Sequence, residues 1–460
     1  MGDGIERLVF LTVILFLLVK TPNIQPKLSV ENVYFYMAKL VGDGLTPYRD
    51  FFFAHPPLHV YFLSVWMKIF NDNIAMTKMI AVLESIVSAI LLYRIAVKKK
   101  FNPAYAFPVL YLFSFTVLAT TDYSTGVHLT SMLLLTGVFL LEEDRPLPAG
   151  AACGLASLSR LYAIPAILGL LLYLVWFRRG LRLFLWGLIP VLVLGHGLFL
   201  LSAGDAYIDQ VFKYHLLKPA SMNKGNVFRF FLVNEPVLIF SVLLSPLILR
   251  GRMGEIIPAY VTCIPLFGFY LFFQDIYYYY LLMAIPYMAL VTGQTLRIIF
   301  ERIQPGNKFL IPLVLLAFTG YNTYSYLGVH APAGRVEFIT ELAYYVKTNT
   351  VEEDTLYGSN DIAPLVALYS GRKIHNNYVD TDYKLFQSGL HDRRERTSEL
   401  AQGLDYIILK AAIIGDKIVV NEDFAEKSFV SQCLLVKKYD VPAGYSANAI
   451  LVMDCRPDAT

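Results

Sequence analysis

Between Ser29 and Leu58 the chain reads Ser-Val-Glu-Asn-Val-Tyr-Phe-Tyr-Met-Ala-Lys-Leu-Val-Gly-Asp-Gly-Leu-Thr-Pro-Tyr-Arg-Asp-Phe-Phe-Phe-Ala-His-Pro-Pro-Leu. Glu31 and Asp50 are carboxylates able to accept a proton, Arg49 offers a planar fork of donors suited to phosphate, and His55 can orient a neighbour or bridge to a substrate. A basic, an acidic and an imidazole group crowd into one short aromatic turn at Arg49-Asp50 and His55-Pro56-Pro57, the kind of place where perturbed titratable groups are functional. Further along, Asp122 follows an apolar run and Arg160 separates two short ones. The stretch Tyr207 to Arg229 holds Lys213, His215, Lys218, Lys224 and Arg229, a basic excess that would attract an anionic group.

The elements that must position these groups are set by hydropathy. Of 460 residues, 56% are hydrophobic and only 16% charged, and the mean hydropathy is +0.52. This composition lies outside the range of soluble globular proteins, and a bilayer is the expected solvent. A helix needs roughly 20 mostly apolar residues to cross the hydrocarbon. Runs that reach or approach this length fall at 5–20, 75–97, 103–120, 127–141, 147–159, 163–177, 183–202, 235–249, 255–272, 277–295 and 309–327, which predicts about eleven crossings. Alternate short loops are basic: Lys98 to Lys100, Arg145, Arg178 with Arg179 and Arg182, Arg250 with Arg252, and Arg297 with Arg302 and Lys308. By the excess of Lys and Arg on the inner side, the N-terminus is cytoplasmic. The candidate residues then gather on the outer face.

The expected architecture is therefore an α-helical polytopic membrane protein with a small external α/β domain at its C-terminus. The membrane domain spans 1–328 and contains a first external loop at 21–74. In that loop Glu31 is expected to start an amphipathic interfacial helix, facing the external aqueous side, with Pro47 ending the helix and Tyr48 to His55 forming a turn. From 329 to 460 charged residues become frequent, and a helical stretch at Arg335 to Thr348 gives way to short β-rich runs such as Asp405 to Leu409 and Ala449 to Met453. This domain is expected to dock on the external loops.

Bland readings stand beside the functional ones. Tyr34, Tyr36, Phe51 to Phe53 and the run Gln274-Asp-Ile-Tyr-Tyr-Tyr-Tyr suit an aromatic belt, Asp122 and Arg160 suit snorkelling charges at a membrane edge, and the basic stretch suits attraction to anionic head groups. Cys153 and Cys263 suit small apolar residues in spans, whereas Cys433 and Cys455 can pair. There is no Cys/His cluster with metal-ligand spacing, no glycine-rich phosphate loop, no Gly-x-Ser-x-Gly elbow and no Asn-x-Ser/Thr acceptor, so a prokaryotic plasma membrane fits better than an endoplasmic-reticulum lumen.

The run Pro47-Tyr-Arg-Asp-Phe-Phe-Phe-Ala-His-Pro-Pro-Leu, preceded by Tyr34-x-Tyr36-x-Ala38 and Gly42-x-Gly44, resembles the first external loop of the dolichyl- or polyprenyl-phosphate-sugar transferases. These are the C-type membrane glycosyltransferases, which include the protein O-mannosyltransferases and the lipid A aminoarabinose transferase. The resemblance implies transfer of a hexose-type sugar, with inversion and without metal or other cofactor, from a lipid-phosphate carrier to an external glycan, lipid or protein. The bilayer and the carrier are the implied partners, and nucleic acid is not. Such chemistry needs a base, cations for the departing phosphate and a greasy groove. Glu31 or Asp50 would be the base; Arg49, His55, Asp122, Arg160, Lys213 and His215 would bind donor phosphate or substrate. In that family an Asp-Glu pair precedes the Tyr-x-Tyr run and its Asp is the proposed base, whereas here that position is Val30 and only the second acid, Glu31, remains. The isolated tryptophans exclude the Trp-Trp-Asp motif of the oligosaccharyltransferase branch. A non-catalytic member of the same architecture and a multi-span transporter are the alternatives, with Glu84, in the second predicted span, the nearest to a group that a transporter reading would use.

Overall fold

The computed structural model describes residues 2–177, 180–303, 310–329, 337–414, 417–420, 424–441 and 447–456. Arg178, Arg179, Lys308 and Arg335, named above, lie outside the described residues. The chain divides into two compact units: Met1–Ile24, Lys78–Leu198 and Ala220–Ala331 form one, and Gln25–Thr77, Phe199–Pro219 and Pro332–Thr460 form the other.

The first unit is helical. Ile74–Lys98, which enters it at Lys78, Leu181–Ala203 and Tyr278–Arg302, of 25, 23 and 25 residues, are each long and apolar enough to cross a membrane, and Lys224–Asn234 with Pro236–Ile248 makes a pair bent by 87°. The other ranges read as spans are helical too, but shorter, except at 103–120. There the helix breaks into Ala106–Leu112 and Phe115–Thr120, because the Ser114 hydroxyl caps the second piece by accepting from Val117 N at 3.3 Å. Helices Pro146–Ser159 and Leu181–Ala203 cross backbone to backbone: a Cβ on Gly150 would collide with the Phe184 carbonyl, and one on Gly187 with that of Leu147. Small residues permit this close contact, the main attraction between helices where lipid removes the hydrophobic drive. Helix Leu181–Ala203 also exposes Leu194, Leu198 and Leu201, as a lipid-facing surface does. Several of the basic residues pair with acids at the ends of neighbouring helices. Lys99 pairs with Glu142 at 2.8 Å, Lys98 with Glu143 at 3.4 Å and Arg297 with Glu255 at 3.7 Å, joining the ends of four helices.

The second unit is built on a six-stranded sheet: β1 (Thr355–Gly358), β2 (Lys373–Ile374), β3 (Tyr406–Ile414), β4 (Lys417–Val419), β5 (Leu434–Asp440) and β6 (Ala449–Asp454). The order is β2-β1-β3-β6-β5, with β4 on β3; β1 is parallel to both β2 and β3, and β6 runs antiparallel to β3 and β5. Strand β6 is buried on both faces and reads as a continuous apolar run, whereas β5 is an edge strand open on both. A disulfide joins Cys433 to Cys455 and ties the ends of these two strands. The core gathers Tyr357, Leu385, Leu400, Ile407, Leu409 and Leu451, and into it project Ala54 and Tyr214 with Phe52 packed alongside. Residues from the first loop and from 199–219 thus complete the core of the C-terminal domain.

Candidate active site

Helix Glu31–Gly42 begins directly after Ser29-Val30, and its first acid is Glu31. A carboxylate in the first turn is favoured by the backbone N–H groups left unpaired there and by the helix dipole. The side chain is wholly buried, so the expectation that it faces the external aqueous side is corrected: the helix turns this end into the unit. The helix also stops at Gly42, five residues before Pro47, and the turn falls on Gly44 at φ +96°. Pro47 is not its terminator.

The two tyrosines of this helix part company. The Tyr36 hydroxyl accepts from Ile374 N at 2.8 Å, while Tyr34 Oη meets His55 Nε2 at 3.0 Å. The turn that presents His55 is held in a conformation costly for a bulky residue. Tyr48 has φ +71°, and its ring is gripped by Tyr207 at 4.8 Å and Phe53 at 5.9 Å between centroids. Its hydroxyl donates to the His55 carbonyl at 2.7 Å, and its own carbonyl accepts from Gln210 Nε2 at 2.9 Å. Gln210 takes the Phe53 N–H at 2.8 Å as well. One side chain therefore fixes both ends of the turn.

His55 stacks on His215, with centroids 5.2 Å apart. His215 Nε2 lies 2.6 Å from the Ala54 carbonyl, which can only accept, so the proton is on Nε2. His59, one residue past the quoted run and missed by sequence reasoning, lies against Tyr34 at 5.7 Å as a third imidazole. His215 follows the π-helical turn Asp209–Lys213. Lys213 instead pairs with Asp209 at 2.5 Å in solvent.

Arg49 and Asp50 form a two-pronged pair, Nε to Oδ1 at 3.0 Å and Nη2 to Oδ2 at 2.9 Å, and Asp50 Oδ2 also accepts from Thr46 N at 2.7 Å. The guanidinium first, and the Thr46 amide with it, hold the Asp50 carboxyl below the usual carboxylate range. Asp50 is a weak base so placed. Arg49 is more than half exposed at the surface of the turn.

Asp122 and Arg160 belong to the first unit, and both are buried rather than snorkelling. Asp122 pairs with Lys20 at 3.3 Å; Lys20 Nζ also donates to the Leu118 carbonyl at 2.6 Å and to Tyr326 Oη at 2.8 Å. Arg160 Nη2 donates to the Thr125 carbonyl, and Ser159 Oγ to that of Gly126 at 3.2 Å. The structure thus brings both candidates onto the segment 118–126, clamped by one buried cation near each end. Sequence reasoning missed Lys20, the last residue of the first apolar run, and Lys78, which is wholly buried with Nζ 6.0 Å from the Tyr123 ring centre. The available signal was a lysine at the edge of an apolar run. The tyrosine run departs from a belt at its end: Asp275 and Tyr280 are buried, and Tyr280 packs on Tyr162 at 4.5 Å.

Residues 54–203 match the family described as dolichyl-phosphate-mannose-protein mannosyltransferase. The matched segment includes His55, Asp122 and Arg160 and begins after Glu31, Arg49 and Asp50. In fold the chain is similar to ArnT from Cupriavidus metallidurans bound to undecaprenyl phosphate, with TM-score 0.71 and 12% identity over 100% of this chain and 99% of that one. The apo state of ArnT gives TM-score 0.69 and 12% identity over 98% of each chain. The arabinofuranosyltransferase AftD from Mycobacteria gives TM-score 0.56 and 14% identity over 100% of this chain and 40% of that one. No curated protein sequence matches the chain.

Proposed function

We infer that this chain, a membrane glycosyltransferase of the polyprenyl-phosphate-sugar type by its family match and its fold, transfers a hexose-type sugar from a polyprenyl- or dolichyl-phosphate carrier to an external acceptor, with inversion. The observation that carries the reading is Glu31: a wholly buried carboxylate at the first turn of a helix, in the same compact unit as the Arg49-Asp50 turn and the Tyr34, His55 and His215 cluster.

Glu31 takes the acceptor hydroxyl proton. The acceptor oxygen bonds to the anomeric carbon on the face opposite the carrier while the bond from that carbon to the phosphate oxygen breaks, and the carrier phosphate leaves with the electron pair. Asp50, engaged by Arg49 and held below the usual carboxylate range, is poorly suited to proton abstraction. It keeps Arg49 oriented at the surface of the turn, where the guanidinium meets the donor phosphate. Tyr34, His55 and His215 line the acceptor side. Lys213 draws the anionic head group by its charge, and Asp122 and Arg160 serve substrate binding within the first unit, where they hold the segment 118–126. The N-terminus is cytoplasmic in the plasma membrane, as the basic excess of alternate short loops in the sequence supports, and the C-terminal domain and the site face outward.

The test is transfer of radiolabelled sugar from a panel of polyprenyl-phosphate sugars to a membrane extract, by purified wild type, Glu31→Gln and Asp50→Asn in detergent. Transfer by wild type and Asp50→Asn but not by Glu31→Gln supports the assignment. Loss in Asp50→Asn alone moves the base to Asp50, and no transfer from any donor leaves a non-catalytic member of the architecture, which Val30 at the usual base position favours.

A further inference from the structure

Strand β1 has a parallel neighbour on each side, β2 and β3, reached by crossovers in opposite directions. The crevice beyond the C-terminal ends of such strands is where parallel sheets ordinarily receive a ligand. In this protein a side chain of the chain itself reaches into it. Asn32, next to Glu31 and almost wholly buried, donates from Nδ2 to the carbonyl of Asp361, just past β1, at 2.6 Å, and to the carbonyl of Lys27 at 2.9 Å. Both hydrogens of one amide are used, and neither carbonyl could accept from a carboxylate in its place. One helical turn on, the Tyr36 hydroxyl takes the N–H of Ile374 on the edge strand β2 at 2.8 Å. Burial pushes the Tyr36 phenol up to about 12, so it stays a neutral hydroxyl across any assay range. These two contacts, four residues apart on one face of helix Glu31–Gly42, fasten its first turn to the sheet.

We propose that Asn32 and Tyr36 are positioning residues, through which the C-terminal domain fixes the carboxylate of Glu31 in its working place. The proposal rests on Glu31 as the base. A catalytic group must be held within about 0.5 Å of its productive position, and a displacement of about 1 Å can cost about a hundredfold in rate. The C-terminal domain then acts on turnover without touching substrate.

The experiment measures kcat and KM for a polyprenyl-phosphate sugar with the full-length protein in detergent, for Asn32→Asp, Tyr36→Phe and Glu31→Gln, together with hydrogen exchange over residues 31–42. Asn32→Asp keeps the shape but turns both donors into acceptors, and Tyr36→Phe removes one hydroxyl. The expected result is kcat reduced about tenfold or more in both, KM for the donor within about twofold of wild type, and faster exchange confined to 31–42. If Asn32→Asp does not fold, Tyr36→Phe carries the test alone. Turnover within about twofold of wild type in the folded variants, with Glu31→Gln inactive, overturns the proposal and leaves Glu31 as base. Full activity of Glu31→Gln removes the base assignment, and the positioning role falls with it.

Discussion

The imidazoles of His55 and His215 lie stacked, 29° from parallel and 5.2 Å apart, although 160 positions separate them in the chain. Only His55 sits in the recognisable motif. His215 reaches it by donating to the backbone carbonyl one residue earlier, Ala54, and so closes the turn from the outside.

Replacing His215 therefore tests the turn rather than the motif. His215→Phe keeps a ring against His55 but leaves the Ala54 carbonyl without that donor, a loss of about 1–3 kcal/mol for a buried acceptor. Sugar transfer is expected to fall about tenfold, and more in His215→Ala, which loses the stacked ring as well. Equal rates in wild type and His215→Phe would show that the hydrogen bond does not matter to the site.

Lys20 and Asp122 form a buried charge pair. Lys20→Met removes a cation from beside a buried carboxylate and is expected to destabilise the folded protein by about 3–5 kcal/mol. The double variant Lys20→Met with Asp122→Asn is expected to recover most of this loss. Thermal unfolding in detergent reads both. A double variant no more stable than Lys20→Met would mean that the lysine acts mainly through Leu118 and Tyr326.

His391 gives the C-terminal domain a pH dependence. It packs edge-on against Phe52 at 5.5 Å, and its Nδ1 accepts from Arg396 Nη2 at 3.4 Å. Burial, then the Arg396 charge, pushes the imidazole down to about 4 from 6.5. A value lowered on folding means that the neutral ring stabilises the fold fully above pH 6.5 and that this contribution is lost as pH falls towards 4, by at most about 3 kcal/mol. The melting temperature of the wild type is expected to drop across that window, and His391→Gln to flatten the drop. A variant with the same slope as wild type would place the titrating group elsewhere.

Much of this was legible in the sequence. Apolar length marked where helices form, and short β-rich runs marked β6 nearly to the residue and the first half of β3, because those signals are local. What was not legible depends on tertiary partners. Nothing in Glu31-Asn-Val-Tyr says that the acid is turned inward, since that is decided by Asn32 finding a carbonyl past β1. Asp122 is neutralised by a lysine 102 positions away. The break at Ser114 interrupts a run whose hydropathy is continuous, because one hydroxyl satisfies an amide that hydropathy does not count. The motif itself was read correctly as a turn, but Tyr34 and Tyr36, alike in a pattern search, serve a histidine and a strand edge respectively.

The bond between Cys433 and Cys455 makes redox state a record of topology. Such bonds persist in oxidising compartments and are reduced in the cytosol. If the C-terminal domain lies outside, as proposed, a chain inserted that way can lock β5 to β6 once the domain emerges, whereas a chain inserted the other way keeps two thiols and an unfastened edge strand. Quality control that removes proteins with exposed thiols would then also discard wrongly oriented copies, without any machinery dedicated to sensing which way the helices run.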